Sequence, residues 1–243
     1  MFSFFKRKPP IVDDINWLGV DIHSHLLPGI DDGAADITQS LSYIKKLKEL
    51  GFEKLICTPH IFKDFYPNTA DTIMSALDTV KQQLKVEGVD IRIGAAAEHM
   101  IDDGFEMSDD LLCLPNRYIL IEMSYLSETP DIEQVIFDLQ VRGYKIVLAH
   151  PERYNFYHAN TQRYQRLKEM GCLFQLNLLS IVGYYGKSVK QAAEFLLQQK
   201  LYDLTATDLH HDKHMAMLNH AVKNGKLYQL LGNYEFKNKE LFL

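Results

Sequence analysis

Cysteine and tryptophan are scarce in this chain, which has three cysteines and one tryptophan among 243 residues. Cys57, Cys113 and Cys172 are odd in number and lie in or beside apolar runs. A disulfide framework needs paired cysteines and is typical of secreted proteins. The cysteine content therefore predicts reduced, buried thiols in a cytoplasmic protein.

Long basic runs and long apolar runs are also missing from the sequence. The net charge is −6, and no run of Lys and Arg follows residue 8, which argues against a nucleic-acid-binding surface. No stretch approaches the length of a transmembrane helix, so we expect no transmembrane segment. Segment 1–10 places its aromatic residues before its basic ones, the reverse of a secretory signal.

The length and the amino terminus predict the domain organisation. We expect a disordered arm over residues 1–15, and the alternative is an arm that rests weakly on an anionic membrane surface through its phenylalanines and cations. Because a chain of this length commonly forms one α/β barrel, we expect a single domain over residues 16–243.

Short apolar segments alternate with amphipathic ones along the rest of the chain. The first predicted strand begins with the apolar run 17–20, and the others are 54–58, 91–97, 118–121, 145–149, 172–177 and 202–206. The predicted helices are 36–50, 69–86, 131–142, 160–170 and 188–199. Such alternation predicts an α/β fold with a parallel sheet and right-handed crossovers. Seven units suggest a closed or nearly closed, TIM-barrel-like barrel, whose functional site lies at the carboxyl ends of the strands.

Residues able to bind a metal stand at these predicted strand ends. His23 and His25 are two residues apart, so in an extended strand both imidazoles project to the same side. The other strand-end residues are His60, Glu98, Glu122, His150, Asp208 and His210. Since buried charge is costly unless a cation compensates it, this set predicts a metal site.

The ordered motifs resemble a known superfamily. They are His23-Ser24-His25, Asp32-Gly33, Thr58-Pro59-His60, Glu98, Glu122, His150-Pro151-Glu152-Arg153 and Asp208-Leu209-His210. Together they are similar to the polymerase-and-histidinol-phosphatase (PHP) superfamily, and most similar to its bacterial manganese-dependent protein-tyrosine phosphatases of capsule and exopolysaccharide loci. The resemblance covers residues 17 to 215 and implies a distorted seven-stranded barrel with a three-metal centre.

The resemblance also implies a ligand set. His23, His25, Glu98 and Asp208 would bind one metal, and His60, Glu122 and His150 would join Glu98, as the bridging ligand, around a second. Asp32 and His210 match the positions that hold the third. Manganese is the expected metal, in two to three ions, and iron, magnesium or zinc would suit the same nitrogen and oxygen ligands.

Two further residues are candidates for the chemistry. Arg153 has the planar fork of donors that binds phosphate oxygens, with a surface salt bridge to Glu152 or a neighbour as the alternative. We place Asp21 on the inward face of the first strand as a partner of the metal-bound imidazoles, with a solvent-exposed charge as the alternative. The family pattern would supply another arginine after Asp208-Leu209-His210, where this chain offers Lys213 or His214.

The sequence keeps several functions open. With four carboxylates among the ligands, three divalent cations would leave the site positive, which suits a phosphate ester. The resemblance implies that the substrate is the tyrosine-phosphorylated tail of a bacterial kinase. A histidinol-phosphate or other small-molecule phosphatase, or a non-catalytic metal-binding module, is the alternative. A cysteine-dependent phosphatase is excluded, because positions 63, 119 and 178, six after each cysteine, are not arginine.

Aromatic residues in two loops are candidates for contact with a phosphotyrosine ring. They are Phe62, Phe65 and Tyr66 after His60, and Tyr184 and Tyr185 after the sixth strand. Stacking on the ring of the substrate is one role for them, and ordinary packing over the rim is the other.

Overall fold

The computed structural model describes residues 11–243 as alternating strands and helices. The strands are β1 (Val20–Asp21), β2 (Lys54–Cys57), β3 (His60–Ile61), β4 (Arg92–Ala95), β5 (Glu98–Met100), β6 (Tyr118–Glu122), β7 (Lys145–Ala149), β8 (Leu173–Asn177) and β9 (Leu204–Ala206). The helices are α1 (Ile37–Leu50), α2 (Ala70–Val86), α3 (Ile132–Val141), α4 (Gln162–Glu169), α5 (Leu178–Ile181), α6 (Lys187–Gln198), α7 (Asp212–Lys223), α8 (Lys226–Leu231) and α9 (Asn238–Phe242).

Local signals in the sequence set the ends of the first two helices. The Asp36 carboxylate accepts a hydrogen bond from the Gln39 N–H and begins α1, and Gly51 ends it in the left-handed conformation. Thr69 and Thr72 form a reciprocal capping pair at the start of α2. The five helices predicted from the sequence are present, each within about two residues of its predicted ends.

All paired strands run parallel, which confirms the predicted α/β class. They form a three-stranded sheet in the order β1-β2-β4 and a six-stranded sheet in the order β3-β5-β6-β7-β8-β9. The predicted seven-stranded barrel is not confirmed. Two predicted strands are each followed at once by a strand of the other sheet: the segment 54–58 contains β2, and β3 begins after Pro59, while the segment 91–97 contains β4, and β5 begins at Glu98. Proline has no N–H to donate, which explains the first interruption.

Two layers of apolar side chains enclose the strands. The larger core lies between strands and helices and includes buried helix residues such as Ile44, Leu77 and Leu196. A second cluster gathers residues from strands of both sheets, from the segments next to them and from the last helix: Val20, Ile22, Ile56, Ala96, Leu114, Leu120, Val147, Ala149, Leu204, Ala206 and Phe242. Strands that are apolar on both faces leave the polar groups to their carboxyl ends.

The two ends of the chain differ from the predicted pattern in different ways. The predicted disordered arm falls largely on residues 1–10, which lie outside the described residues, and Ile15 is fully buried and donates its N–H to the Leu50 carbonyl. Helices α7, α8 and α9 follow β9, where no helix was predicted. No helix within residues 11–243 is both long and apolar enough to cross a membrane.

Candidate metal centre

The His23–His25 segment lies where the two sheets approach each other. Its backbone forms hydrogen bonds with the segments that follow β9 and β2. On the β9 side, the Asp208 N–H donates to the His23 carbonyl and the His25 N–H donates to the Leu209 carbonyl. On the β2 side, the Thr58 N–H donates to the Ser24 carbonyl. The two Nε2 atoms of His23 and His25 are 3.2 Å apart. The predicted projection of both imidazoles to one side is therefore observed.

Hydrogen bonds at the far side of each ring fix which nitrogen keeps its proton when the ring is neutral. His23 Nδ1 lies 2.8 Å from Gln175 Oε1. Because Gln175 donates its own Nε2–H to the Leu176 carbonyl, Oε1 is the acceptor and His23 Nδ1–H the donor. His25 Nδ1 lies 2.8 Å from Asp31 Oδ2 and donates in the same way. In the neutral rings both Nε2 atoms therefore present lone pairs to each other.

Carboxylate oxygens face the same point. Glu98 Oε2 lies 3.2 Å from His23 Nε2 and 3.4 Å from His25 Nε2, and Asp208 Oδ1 lies 3.4 Å from each. Glu98 Oε2 is buried without a hydrogen-bond partner among the described residues. Lone pairs of nitrogen and oxygen that converge in a buried space repel one another unless a cation lies between them. The residues present fit a divalent metal.

A second group of ligand atoms adjoins the first. His60 Nδ1 is 2.9 Å from Glu122 Oε1 and 3.2 Å from Glu98 Oε2. His150 Nε2 is 3.1 Å from the other Glu98 oxygen. Glu98 thus has oxygens within reach of both groups, as a bridging ligand requires.

A third group lies nearer the surface. Asp32 Oδ1 is 3.4 Å from His60 Nε2 and 3.6 Å from His210 Nε2, and its side chain is half exposed. His210 Nδ1–H donates to the Asp208 carbonyl, so its Nε2 lone pair faces Asp32. All nine predicted ligands lie in four overlapping groups able to hold a metal ion, in which the candidate ligand atoms are within 4.8 Å of one another.

The pKa shifts report a strongly negative field. Burial alone would lower the pKa of His25, but Asp31, Asp208 and Glu98 raise it well above its ordinary value. Burial would likewise raise the pKa of Glu98, but His23 and His150 hold it well below its ordinary value. Burial lowers the pKa of the more peripheral His210 to about 3. A field that retains protons on buried imidazoles also attracts metal cations.

Two candidate ligands have an unusual backbone. His150 and Asp208 have φ values of 34° and 48°, in the left-handed region that residues with a side chain rarely adopt. Each follows a strand closely, β7 and β9 respectively. Backbone strain of this kind persists where the surrounding structure enforces it, and it concentrates at functional sites.

Arg153 lies beside the ligands and not against Glu152. Its Nη1 donates to Asp208 Oδ2 at 2.9 Å, and its guanidinium lies 4.5 Å from the Tyr125 ring centre and 4.2 Å from that of Tyr185. Asn177 Nδ2 donates to the same Asp208 oxygen. Two donors therefore hold Oδ2, and Oδ1 is left facing the histidines.

Asp21 has a different environment from the one predicted. Val20 and Ile22 belong to the apolar cluster between the sheets, so Asp21 between them points to the other face. Its carboxylate accepts hydrogen bonds from the N–H and the hydroxyl of Thr207, while Gln175 and Asp31 bond the imidazoles. Asp21 thus holds the chain next to Asp208, and the imidazoles have other partners, which corrects its predicted role as their hydrogen-bond partner.

The centre opens into a cavity of about 580 Å³. Of the aromatic residues proposed for its mouth, Phe62, Tyr66, Tyr184 and Tyr185 line it, whereas Phe65 does not. His214 lines it as well, whereas Lys213 is exposed and does not, so of the two residues offered in place of the expected second arginine only His214 faces the cavity.

Among the residues of the site that sequence reasoning missed are Asp31, Tyr125, Gln175, Asn177 and His211. Asp31 stands next to the predicted Asp32, and it is the buried member of the pair. Gln175 and Asn177 end a predicted strand with the two-residue spacing that placed His23 and His25 on one face, so this spacing was an available signal. Nothing in the sequence singled out Tyr125 or His211.

The fold and the site define a parallel α/β protein with a candidate multi-metal centre at the carboxyl ends of its strands. Residues 19–224 match the family described as capsular polysaccharide synthesis, CpsB/CapC, and the chain belongs to this family. This membership confirms the resemblance seen in the sequence.

Individual relatives agree with the family. The chain is 32% identical over 198 residues to tyrosine-protein phosphatase YwqE of Bacillus subtilis (strain 168), covering 80% of this chain and 78% of that protein. It is 27% identical over 200 residues to tyrosine-protein phosphatase CpsB of Streptococcus pneumoniae, covering 79% and 82%. A solved structure from work on YwqE and CpsB, described as metal-dependent tyrosine phosphatases, matches with a TM-score of 0.76 at 28% identity, covering 91% of this chain and 93% of that one.

Proposed function

We propose that this protein is a metal-dependent phosphatase that hydrolyses phosphotyrosine in proteins. The observation that carries the proposal is the convergence of nine nitrogen and oxygen ligands beside Arg153 at the base of an aromatic-lined cavity. The relatives named as tyrosine-protein phosphatases support the substrate class.

The proposed ligands divide among the metals as the resemblance implies. His23, His25, Glu98 and Asp208 would hold one ion, and His60, Glu122 and His150 would hold a second with Glu98, while Asp32 and His210 would hold a third. Two to three manganese ions are proposed; iron, magnesium and zinc are the alternatives, since a set without thiolate discriminates weakly among them.

The chain's own residues bind and orient the substrate. Bound divalent ions would supply an activated water and neutralise charge on the phosphoryl group. The guanidinium of Arg153, held between Tyr125 and Tyr185, presents its remaining donors to the cavity and would bind phosphate oxygens. The rings of Phe62, Tyr66 and Tyr184 line the path along which the tyrosine ring would approach.

The cysteines do not supply a nucleophile. Burial raises the pKa of the Cys113 thiol to about 11 and that of Cys172 to about 12. Burial also raises the pKa of Cys57. Thiolate formation near neutral pH is therefore disfavoured at each of them, and we expect hydrolysis without a covalent phosphoenzyme.

The family description supports a role in capsule or exopolysaccharide synthesis. The proposed protein substrate is the phosphorylated tail of a bacterial tyrosine kinase of that system, and the proposed location is the cytoplasm, where such a tail would lie.

The test compares a phosphotyrosine peptide with histidinol phosphate, each with manganese and with a chelator. We expect hydrolysis of the peptide that needs metal and is lost in Glu122→Gln, with the exposed Glu235→Gln as the control. A preference for histidinol phosphate of about a hundredfold in kcat/KM would indicate a small-molecule phosphatase instead. Metal binding without hydrolysis of either ester would indicate a non-catalytic module.

A further inference from the structure

A second cavity, of about 380 Å³, adjoins the metal centre; we call it the side cavity. It lies between the segment 61–70 and the segment 99–112. Met100 and Asp102 line both this cavity and the one above the metals. Along the first segment, Phe62 faces the metal cavity while its neighbours Ile61 and Lys63 line the side cavity, so one stretch of chain separates the two spaces.

The side cavity has an apolar interior. Ile61, Phe105, Leu111 and Leu112 line it and are partly buried against the main core. His99 also lines it and is buried, with its Nε2–H donated to the Leu112 carbonyl. Such a surface suits the methylene groups of a long side chain.

The rim of the side cavity is acidic. Asp102, Glu106 and Asp110 line it against a single ammonium, that of Lys63. Lys63 forms its ion pair with Glu106 at 2.7 Å and also lies in the field of Asp102, so three carboxylates against one ammonium leave the rim with a net charge of −2. Asp102 accepts a hydrogen bond from the Gly104 N–H and Asp110 one from the Ser108 hydroxyl, and neither forms an ion pair with a residue in 11–243.

We infer that the side cavity is a subsite for a lysine or arginine of the substrate chain, one or two residues from the phosphotyrosine. The inference rests on the proposed function. An apolar interior with two unpaired carboxylates at its rim matches an aliphatic stem with a cationic head. Because consecutive residues of an extended chain advance by about 3.5 Å, a close neighbour of the phosphotyrosine reaches a cavity that shares two lining residues with the metal site.

The test measures binding and hydrolysis separately. The peptides carry a non-hydrolysable mimic of phosphotyrosine. Each has Lys, Gln or Glu at one of the two positions before or the two positions after the mimic. Each peptide is titrated into the manganese-loaded protein. We expect the best lysine peptide to bind about fivefold more tightly than its glutamine counterpart, as one or two exposed ion pairs allow, and the glutamate peptide to bind more weakly. The preference should shrink in high salt.

Variants locate the preference. In the double variant Asp102→Asn with Asp110→Asn, the Kd values of the lysine and glutamine peptides should agree to within about twofold. The control is the charge-matched double variant Asp78→Asn with Asp90→Asn, at exposed positions on and after α2, which should keep the preference for lysine. Equal binding of lysine and glutamine peptides at every position, or a preference that survives the double variant, would overturn the inference.

Hydrolysis of the matching phosphotyrosine peptides separates the two proposals. Hydrolysis without a lysine preference in binding leaves the proposed function and removes the subsite. A lysine preference in binding without hydrolysis leaves the subsite and removes the phosphatase. Failure of every mimic peptide to bind would remove the subsite whatever the activity on other esters.

Discussion

Two neutral amides at the end of β8 orient charged ligands on other strands. Gln175 and Asn177 are two residues apart and share a face. Each is fixed by a backbone bond of its own: Gln175 donates to the Leu176 carbonyl, and Asn177 accepts from the Leu179 N–H. These bonds direct an amide oxygen at His23 and an amide N–H at Asp208. A strand without a proposed ligand thereby sets the orientation of two of them.

Removing the acceptor for His23 should weaken metal binding. In Gln175→Met the His23 ring loses the bond that keeps Nδ1 protonated and Nε2 free. Since partners of this kind are worth about 10- to 100-fold in metal affinity, we expect a manganese Kd higher by that factor in calorimetry. The exposed Gln82→Met on α2 is the control. An unchanged Kd in Gln175→Met would show that the ring is oriented without Gln175.

Glu98 and Asp32 should differ in importance. Glu98 contacts His23, His25, His60 and His150 from a fully buried position, whereas Asp32 is half exposed and approaches only His60 and His210. We expect Glu98→Gln to lose phosphatase activity and bound manganese more completely than Asp32→Asn. Activity assays with elemental analysis of the purified variants test this order, and parental activity in Glu98→Gln would contradict its bridging role.

The end of helix α1 depends on one glycine. Gly51 has φ 112°, and a Cβ added there would lie 2.5 Å from Asn16 Oδ1. We expect Gly51→Ala to lower the free energy of unfolding by about 1–3 kcal/mol in urea denaturation. Gly94→Ala in β4 is the control, because an added Cβ there meets nothing within 4 Å. Equal stability of the two variants would contradict the account of the helix end.

The sequence predicted regular elements best where a local signal marks both ends. Helix α1 has Asp36 and Gly51, and β7 was predicted at its observed bounds. The division of two strands between sheets depends on pairing with distant segments, although Pro59 was a local warning. Helix α7 was missed because the residue before it, whose side chain accepts a hydrogen bond from the His214 N–H, is a histidine, His211, which is not a usual capping residue.

The same distinction applies to the site. Charged residues at strand ends were found because burial of charge needs an explanation, and this rule, together with the family resemblance, located all nine candidate ligands. The amides of Gln175 and Asn177 carry no charge and look like ordinary polar strand residues. Periodicity also cannot predict which of the adjacent Asp31 and Asp32 points inward. That choice depends on the conformation of the loop that contains them and on the His60 N–H, which donates to the Asp31 carboxylate.

At the scale of the whole molecule, the metal centre couples stability to pH. Burial alone would lower the pKa values of His25 and His60. Nearby carboxylates outweigh this effect, Asp31 most strongly at His25 and Glu122 most strongly at His60, and raise both pKa values well above 6.5. In the metal-free protein, the stability from these ion pairs is fully present below about pH 6.5 and is lost as pH rises through the raised pKa values. The stability that bound metal adds has the opposite pH dependence and increases as pH rises, because metal binds the deprotonated rings.

Manganese binding should therefore release protons near neutral pH. Because the pKa values of His25 and His60 are raised, the ions that bind these two rings must displace protons, and metal affinity should rise with pH near neutrality. Calorimetry in two buffers of different ionisation enthalpy gives the number released, which we expect to be about one or more per chain at pH 7. His220→Gln, exposed on α7, is the control and should release the same number. A binding enthalpy independent of the buffer, with an affinity independent of pH, would show that the imidazoles are already neutral and would contradict the field inferred from the carboxylates around them.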